Sequence, residues 1–197
     1  MATSCRTTNP FVMTIKPLAE VLERAGITYA IGGSVASSVR GDMRATNDVD
    51  IIAEIGVAQV DALVAALGPD WYADAEQIRA SIRSGRSFNV IYIPVAQKVV
   101  IFQATRHFHR AQLDRATEVE VPLFDDKRAY PVTTAEDILL AKLEWYAAGG
   151  QVSEMQWRDI TSILAVARGL DHAYLQSWAQ RLGVAPSLAR AIEESRD

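Results

Sequence analysis

From Met13 to Ala25 the apolar residues Ile15, Leu18, Val21, Leu22 and Ala25 recur at helical spacing, and Gly26 stands where such a helix would end. The next run changes character. Thr28 to Ile31 is short, β-branched and aromatic, and it passes directly into Gly32-Gly33-Ser34 and a small-residue helix through about Val39. After a polar loop from Arg40 to Asn47, Asp48 to Ala53 reads as a second strand. An amphipathic helix from about Val57 to Leu67 follows, closed by Gly68-Pro69. Ala75 to Ser84 predicts another helix. Phe88–Ile93 and Lys98–Phe102 then predict a hairpin with Pro94 in the connection. Past Val121 the pattern becomes helical. Thr134-x-x-Asp137 resembles a capping box ahead of a helix to about Ala148, stopped by Gly149-Gly150. Ser153-x-x-Gln156 caps a second helix running to about Ala167, Asp171 an N-cap for a third, and Pro186 opens a fourth. The expectation is an α/β (α+β) chain with a small mixed sheet in residues 1–132 and a C-terminal helical bundle in 133–197.

Composition narrows the classes open to it. At 197 residues, with 49% hydrophobic and 22% charged positions, the chain suits one domain or a domain with a small appendage, and neither disorder nor a collagen-like repeat. Lys+Arg 20 against Asp+Glu 24 gives a net charge of -4, so no global positive field draws it to nucleic acid or anionic membrane. Any polyanion has to be met by a local patch. The one cysteine, Cys5, forms neither an internal disulfide nor a cysteine metal cluster, which suggests a reducing compartment and a cytoplasmic location. Apolar stretches such as Val99–Phe102 are strand-sized, and Met1 to Pro10 lacks the apolar segment of a signal peptide, so neither a membrane span nor export is expected.

The chemistry concentrates between Ile31 and Ile51. Asp48 and Asp50 are two apart on a predicted strand, so their side chains share one face while Val49 turns into the core. Two adjacent carboxylates repel unless a divalent cation joins them, and hard oxygen donors with positions left for phosphate and water suit Mg²⁺ or Mn²⁺. Gly32-Gly33 lets the backbone approach a ligand closely. The helix from about Ser34 directs free N–H groups toward the same place, and Arg44 and Thr46 precede the carboxylates as further phosphate contacts. A phosphate cradle followed by a metal-binding carboxylate pair is the apparatus of nucleotidyl transfer.

This segment resembles the signature of the nucleotidyltransferase superfamily related to DNA polymerase β: a glycine-serine turn followed by Asp-x-Asp on a strand. Here thirteen residues separate Gly33-Ser34 from Asp48. Downstream, Ala135–Tyr146 and Gln156-Trp-Arg-Asp-Ile160 are similar to the later motifs of the AbiEii-like branch, and the likeness runs from about Val21 to Leu182. The resemblance implies that Lys142 touches nucleotide phosphate and that Asp159 orients Lys142 or the acceptor. It also implies an NTP donor, a hydroxyl acceptor on RNA, protein or a small molecule, and a possible cognate toxin or antitoxin partner. One departure stands out. Many superfamily members carry a third carboxylate on a later strand, credited with activating the attacking hydroxyl; Lys98–Phe102 is the expected strand and position 100 is valine. Asn89, Asp125 and Glu154 are the residues that would have to approach in its place. Two readings therefore stay open: a nucleotidyltransferase, or a nucleotide-binding regulatory module with little turnover.

Other motifs weigh less. Taken singly, Gly32-Gly33 reads as a packed turn and Asp48 as a loop cap; their combination reverses that. Gly32-x-Ser34-x-Ala36 imitates the nucleophile elbow of serine hydrolases, but only about thirty residues and one strand precede it. Neither the dinucleotide glycine spacing nor a P-loop lysine follows the turn. Arg106, His107, His109, Arg110 and Arg115 form a basic stretch expected in solvent rather than on an acceptor nucleic acid, His172 reads as surface, and Trp145 and Trp157 as packing residues rather than base-stacking platforms.

Overall fold

A computed structural model of the chain describes residues 10–39, 49–121 and 127–195. The first helix, α1 (Pro10–Arg24), buries Ile15, Leu18, Ala19, Val21 and Leu22 on one side, and Gly26 turns the chain at φ +64°. β1 (Tyr29–Ile31) is wholly buried and leads into the short helix α2 (Gly33–Val39). β2 (Val49–Ala53) follows, with a 3₁₀ turn and α3 (Val60–Leu67) after it. Then come β3 (Trp71–Tyr72), α4 (Ala75–Arg83), β4 (Phe88–Tyr92) and β5 (Gln97–Gln103). Pro94 lies in the 3₁₀ turn between β4 and β5, where its missing N–H costs the ladder nothing. The next helix, α5 (His107–Arg115), precedes the antiparallel pair β6 (Thr117–Glu120) and β7 (Ala129–Val132). From Ala135 the described chain is helical: α6 (Ala135–Ala148), α7 (Glu154–Val166), α8 (His172–Arg181) and α9 (Ala185–Glu194).

The strands form one mixed sheet in the order β3-β4-β5-β2-β1-β7-β6. β1 runs antiparallel to β2 and parallel to β7; β2 runs parallel to β5, which pairs antiparallel with β4. Alternation sorts the two faces. Val49, Ile51 and Ala53 of β2 and Val99 and Ile101 of β5 enter the core, while Asp50, Val100 and Phe102 turn to the opposite face. Over that second face pass α6 and α7.

The expected N-caps form. Thr134 Oγ1 accepts the N–H of Asp137, Ser153 Oγ that of Gln156, and an Asp171 carboxylate oxygen that of Tyr174. The start of α6 is also fastened from the side. Asp137 is fully buried; its carboxylate accepts the Tyr174 hydroxyl at 2.6 Å and the Thr134 hydroxyl at 2.8 Å, with Arg115 Nε 3.7 Å away. Burial, opposed by these donors and the arginine, pushes the Asp137 carboxyl above its ordinary range.

Three departures from the sequence expectation concern the sheet and the basic stretch. β3, β6 and β7 are strands where none was expected. Of the basic residues expected in solvent, Arg106, His107 and Arg110 are exposed, while His109 and Arg115 are half-buried because the segment forms α5, anchored by buried Phe108 and Gln112. The helical pattern begins at Ala135, past β7, rather than at Val121.

Candidate active site

A cleft of about 840 Å³ opens between the sheet face carrying Asp50, Ile52, Val100 and Phe102 and the side of α6 and α7 that bears Lys142, Trp145 and Asp159. Gly32, Gly33 and Ser34 line it as well. One backbone bond ties that turn to β2, and one side-chain bond closes the first turn of α2. The N–H of Gly32 donates to the carbonyl of Asp50 at 2.9 Å, and the Ser37 hydroxyl donates to the Gly33 carbonyl at 3.1 Å. On the other side of β1, Thr133 N–H donates to the Ile31 carbonyl at 3.0 Å, leading β7 into α6.

Gly33 has a specific reason to be glycine. Its φ is +56°, and a Cβ built there would overlap Asp50 Oδ2, with Asp50 Cγ 2.6 Å and Cβ 2.8 Å away. The Asp50 carboxylate is thus seated directly on the α-carbon of the turn, a placement only the missing side chain permits. Asp50 is half-buried, so its oxygens remain in reach of the cleft.

Across the cleft, Lys142 Nζ donates to Asp159 Oδ2 at 2.9 Å, joining α6 to α7. The two side chains are 20% and 16% exposed, dry enough for the pair to hold a fixed geometry. Val100 is the register partner of Asp50 and lines the same cleft, with Asn89 opposite it on β4. An apolar side chain therefore stands beside the carboxylate. Asp48, Arg44, Thr46 and Asp125 lie outside the described residues. Gly32, Gly33, Ser34, Asp50, Lys142 and Asp159 all line the one cleft; Asn89 and Glu154 are not among its lining residues.

The cleft also holds side chains of the basic stretch, which the sequence reading expects in solvent. Arg106 donates two hydrogen bonds to Glu144, at 2.6 and 2.7 Å, and spans α5 and α6. His109 Nδ1 donates to the Gln103 carbonyl at 2.9 Å, leaving Nε2 to accept from Arg106 at 3.1 Å. Burial, with the adjacent Arg106 charge, holds His109 below the ordinary histidine range. Trp145, read from sequence as packing, is 57% exposed at the cleft; Trp157 packs against Tyr146 and donates to Glu194.

The donor chemistry of the site suits a hard cation. Asp50 offers carboxylate oxygens in an open, partly solvated cleft, and oxygen donors with room for water and phosphate are what Mg²⁺ requires. Of the other described carboxylates lining the cleft, Glu144 is held by Arg106 and Asp159 by Lys142. Among the described residues no group of three or more His, Cys, Asp and Glu is placed to hold a metal.

No protein-family model matches the chain, and no curated protein does. Among solved structures, an antigenic nucleotidyltransferase-like protein from Paracoccidioides brasiliensis is similar. It shares 21% identity and a TM-score of 0.51, over 93% of this chain and 92% of the other. The likeness is one of fold. The antibiotic-resistance factor ANT(2'')-Ia, known from a solution structure, also matches, at 12% identity and a TM-score of 0.47 over 96% and 91% of the two chains. The chain therefore has a mixed α/β, nucleotidyltransferase-like fold, as its motifs led one to expect. No helix among the described residues is long and apolar enough to cross a membrane.

Proposed function

We propose that this protein is a nucleotidyltransferase that moves a nucleoside monophosphate from an NTP to a hydroxyl acceptor, with pyrophosphate leaving. The observation that carries the reading is the seating of the Asp50 carboxylate on the Gly33 turn, facing the Lys142–Asp159 pair across one cleft. Fold likeness to a nucleotidyltransferase-like protein supports it.

The roles follow from the chemistry of each group. The Gly32-Gly33 backbone and the Ser34 hydroxyl hold the β and γ phosphates, joined by Arg44 and Thr46 from the loop before β2. Asp48 and Asp50 hold Mg²⁺, which when bound polarises the α-phosphate and neutralises its charge. Lys142 sets its ammonium against the charge that grows on the phosphate oxygens in the transition state. Asp159 keeps that ammonium in place, acting through Lys142. The acceptor is a hydroxyl of RNA, protein or a small molecule. The location is cytoplasmic. Kinship with the AbiEii-like branch, and a cognate toxin or antitoxin partner, belong to the same proposal.

A second reading has its own observation. In the reaction the acceptor oxygen bonds to the α-phosphorus, the bond to the pyrophosphate oxygen breaks, and the hydroxyl proton has to leave. A carboxylate beside Asp50 would take that proton, and Val100, which occupies the register position there, cannot. On this reading the protein binds nucleotide and signals or regulates without efficient turnover.

Incubation with each α-labelled NTP, Mg²⁺ or Mn²⁺ and mixed cellular RNA and protein separates the readings, with the Asp48→Asn, Asp50→Asn double variant alongside. Label attached by the wild type alone supports the transferase and identifies its acceptor class. Nucleotide binding without attachment supports the module.

A further inference from the structure

Four tryptophans occur in the chain, and three are occupied. Trp71 is buried beside Tyr92, Trp157 sits on Tyr146 under the Arg190 guanidinium, and Trp178 packs with Phe108 and Tyr174. Trp145 differs. It belongs to the cleft-facing stripe of α6, with Ile138, Ala141, Lys142 and Ala148 at helical spacing, the stripe that in an ordinary helix would be covered. Its contact with Phe102 is edge-to-face, with centroids 5.9 Å apart and planes at 86°, and it leaves 57% of the residue exposed. Met155, 60% exposed, lines the cleft from the first turn of α7. An indole and a phenyl ring thus meet in a concave site that a thioether also lines.

Register sets the distance of this aromatic pair from Asp50. Asp50 pairs with Val100 and Ile52 with Phe102, so Phe102 lies two residues, about 7 Å, further along the strands. That span is comparable to the reach from an α-phosphate across one ribose to its base. Lys142 lies one turn before Trp145 on the same stripe, so a ligand whose phosphates meet Lys142 and the Gly33 turn extends its other end toward the indole.

We propose that Trp145, backed by Phe102 and flanked by Met155, is the platform on which the nucleobase of the donor nucleotide stacks. The assignment rests on the nucleotidyl-transfer reading and deepens it. Base–aromatic stacking tolerates any base because every base has a π-face, so the platform supplies affinity rather than a choice among bases.

Calorimetric titration of the full chain with ATP, GTP, CTP, UTP and inorganic tripolyphosphate, in Mg²⁺, tests it. The wild type should bind each NTP more tightly than tripolyphosphate. Trp145→Ala should weaken NTP binding on the order of tenfold while leaving tripolyphosphate unchanged, and Trp145→Phe should restore most of the loss. A second readout does not depend on the alanine variant folding: ATP should quench tryptophan fluorescence in the wild type and far less in Trp145→Phe. Unchanged NTP affinity in Trp145→Ala, or equal quenching in wild type and Trp145→Phe, would overturn the platform. NTP binding that depends on Trp145 while tripolyphosphate does not bind at all would keep the platform and remove the phosphate-site reading beneath it.

Discussion

Replacing Gly33 by alanine strikes the contact on which the site is built. Two costs add. The backbone there has φ +56°, a conformation that costs an L-residue about 1–2 kcal/mol. The new methyl also overlaps Asp50 Oδ2, with Cγ 2.6 Å away, so the carboxylate must withdraw by more than about 1 Å to reach ordinary contact. For a chain of 197 residues each kcal/mol lowers Tm by about 2–4 °C, so the backbone cost alone predicts a fall of about 2–8 °C. A displacement of that size at a reacting centre is expected to lower transfer on the order of 10²-fold. Differential scanning calorimetry and the α-labelled transfer assay measure the two effects separately. A double-mutant cycle isolates the clash: truncating Asp50 to alanine removes the overlapping oxygen and Cγ and leaves only Cβ at 2.8 Å, so Gly33→Ala should cost less stability in that background. Additive stabilities, or a Gly33→Ala protein with wild-type Tm and transfer, would refute the claim that Asp50 is seated on this turn.

Val100→Asp puts a carboxylate beside Asp50; it should cost about 1–2 kcal/mol without metal and regain part of that in Mg²⁺, seen as a larger Mg²⁺-dependent rise in Tm than the wild type shows. If transfer also rises, valine limits turnover; if Mg²⁺ has no effect on the variant, position 100 does not face the ion. Lys142→Met should lower kcat on the order of 10²–10³-fold, and Asp159→Asn less, with KM little changed in the latter because Asp159 acts through the ammonium it holds. Equal KM and kcat effects from Asp159→Asn would place it against substrate instead. Asp137, whose carboxyl burial raises above its ordinary range in the folded protein, contributes stability that is full below the ordinary carboxylate pKa and lost as pH rises through the folded one. Asp137→Asn cannot ionise, so chemical denaturation should show its deficit relative to wild type shrinking as pH rises above the ordinary carboxylate range, and a constant deficit would contradict the shift.

The parts of this fold that were readable from sequence are those decided by local chemistry. Thr134, Ser153 and Asp171 cap their helices because a side-chain oxygen there meets a free N–H whatever the tertiary context. The β4–β5 hairpin announces itself by two β-branched runs around Pro94. The unread parts depend on packing. β7 contains Pro131, a poor strand residue, yet it joins the sheet through a single register pair with β1, Ile31 with Val132, and so loses little from the missing donor. α5 carries four basic residues in nine, and Phe108 and Gln112 are its buried side chains, a pattern that from sequence looks like a solvated stretch. Trp145 has the spacing of a core residue and faces a cleft instead; periodicity reports which side of a helix turns inward but not whether anything fills the space. For the site, Gly33 and Asp50 were legible as a pair, because a strand-turn-helix followed by a strand carboxylate limits where both can lie. Lys142 meeting Asp159 across two helices has no signature in composition or spacing, and only the family resemblance pointed to it.

The most direct test of the central claim is to run the transfer assay in parallel with α-labelled and γ-labelled NTP, measuring pyrophosphate release alongside. Nucleotidyl transfer predicts label in the acceptor from the α position only, one pyrophosphate released per group attached, and loss of both in Asp50→Asn. Label arriving from the γ position, or attachment that survives Asp50→Asn, would contradict the account.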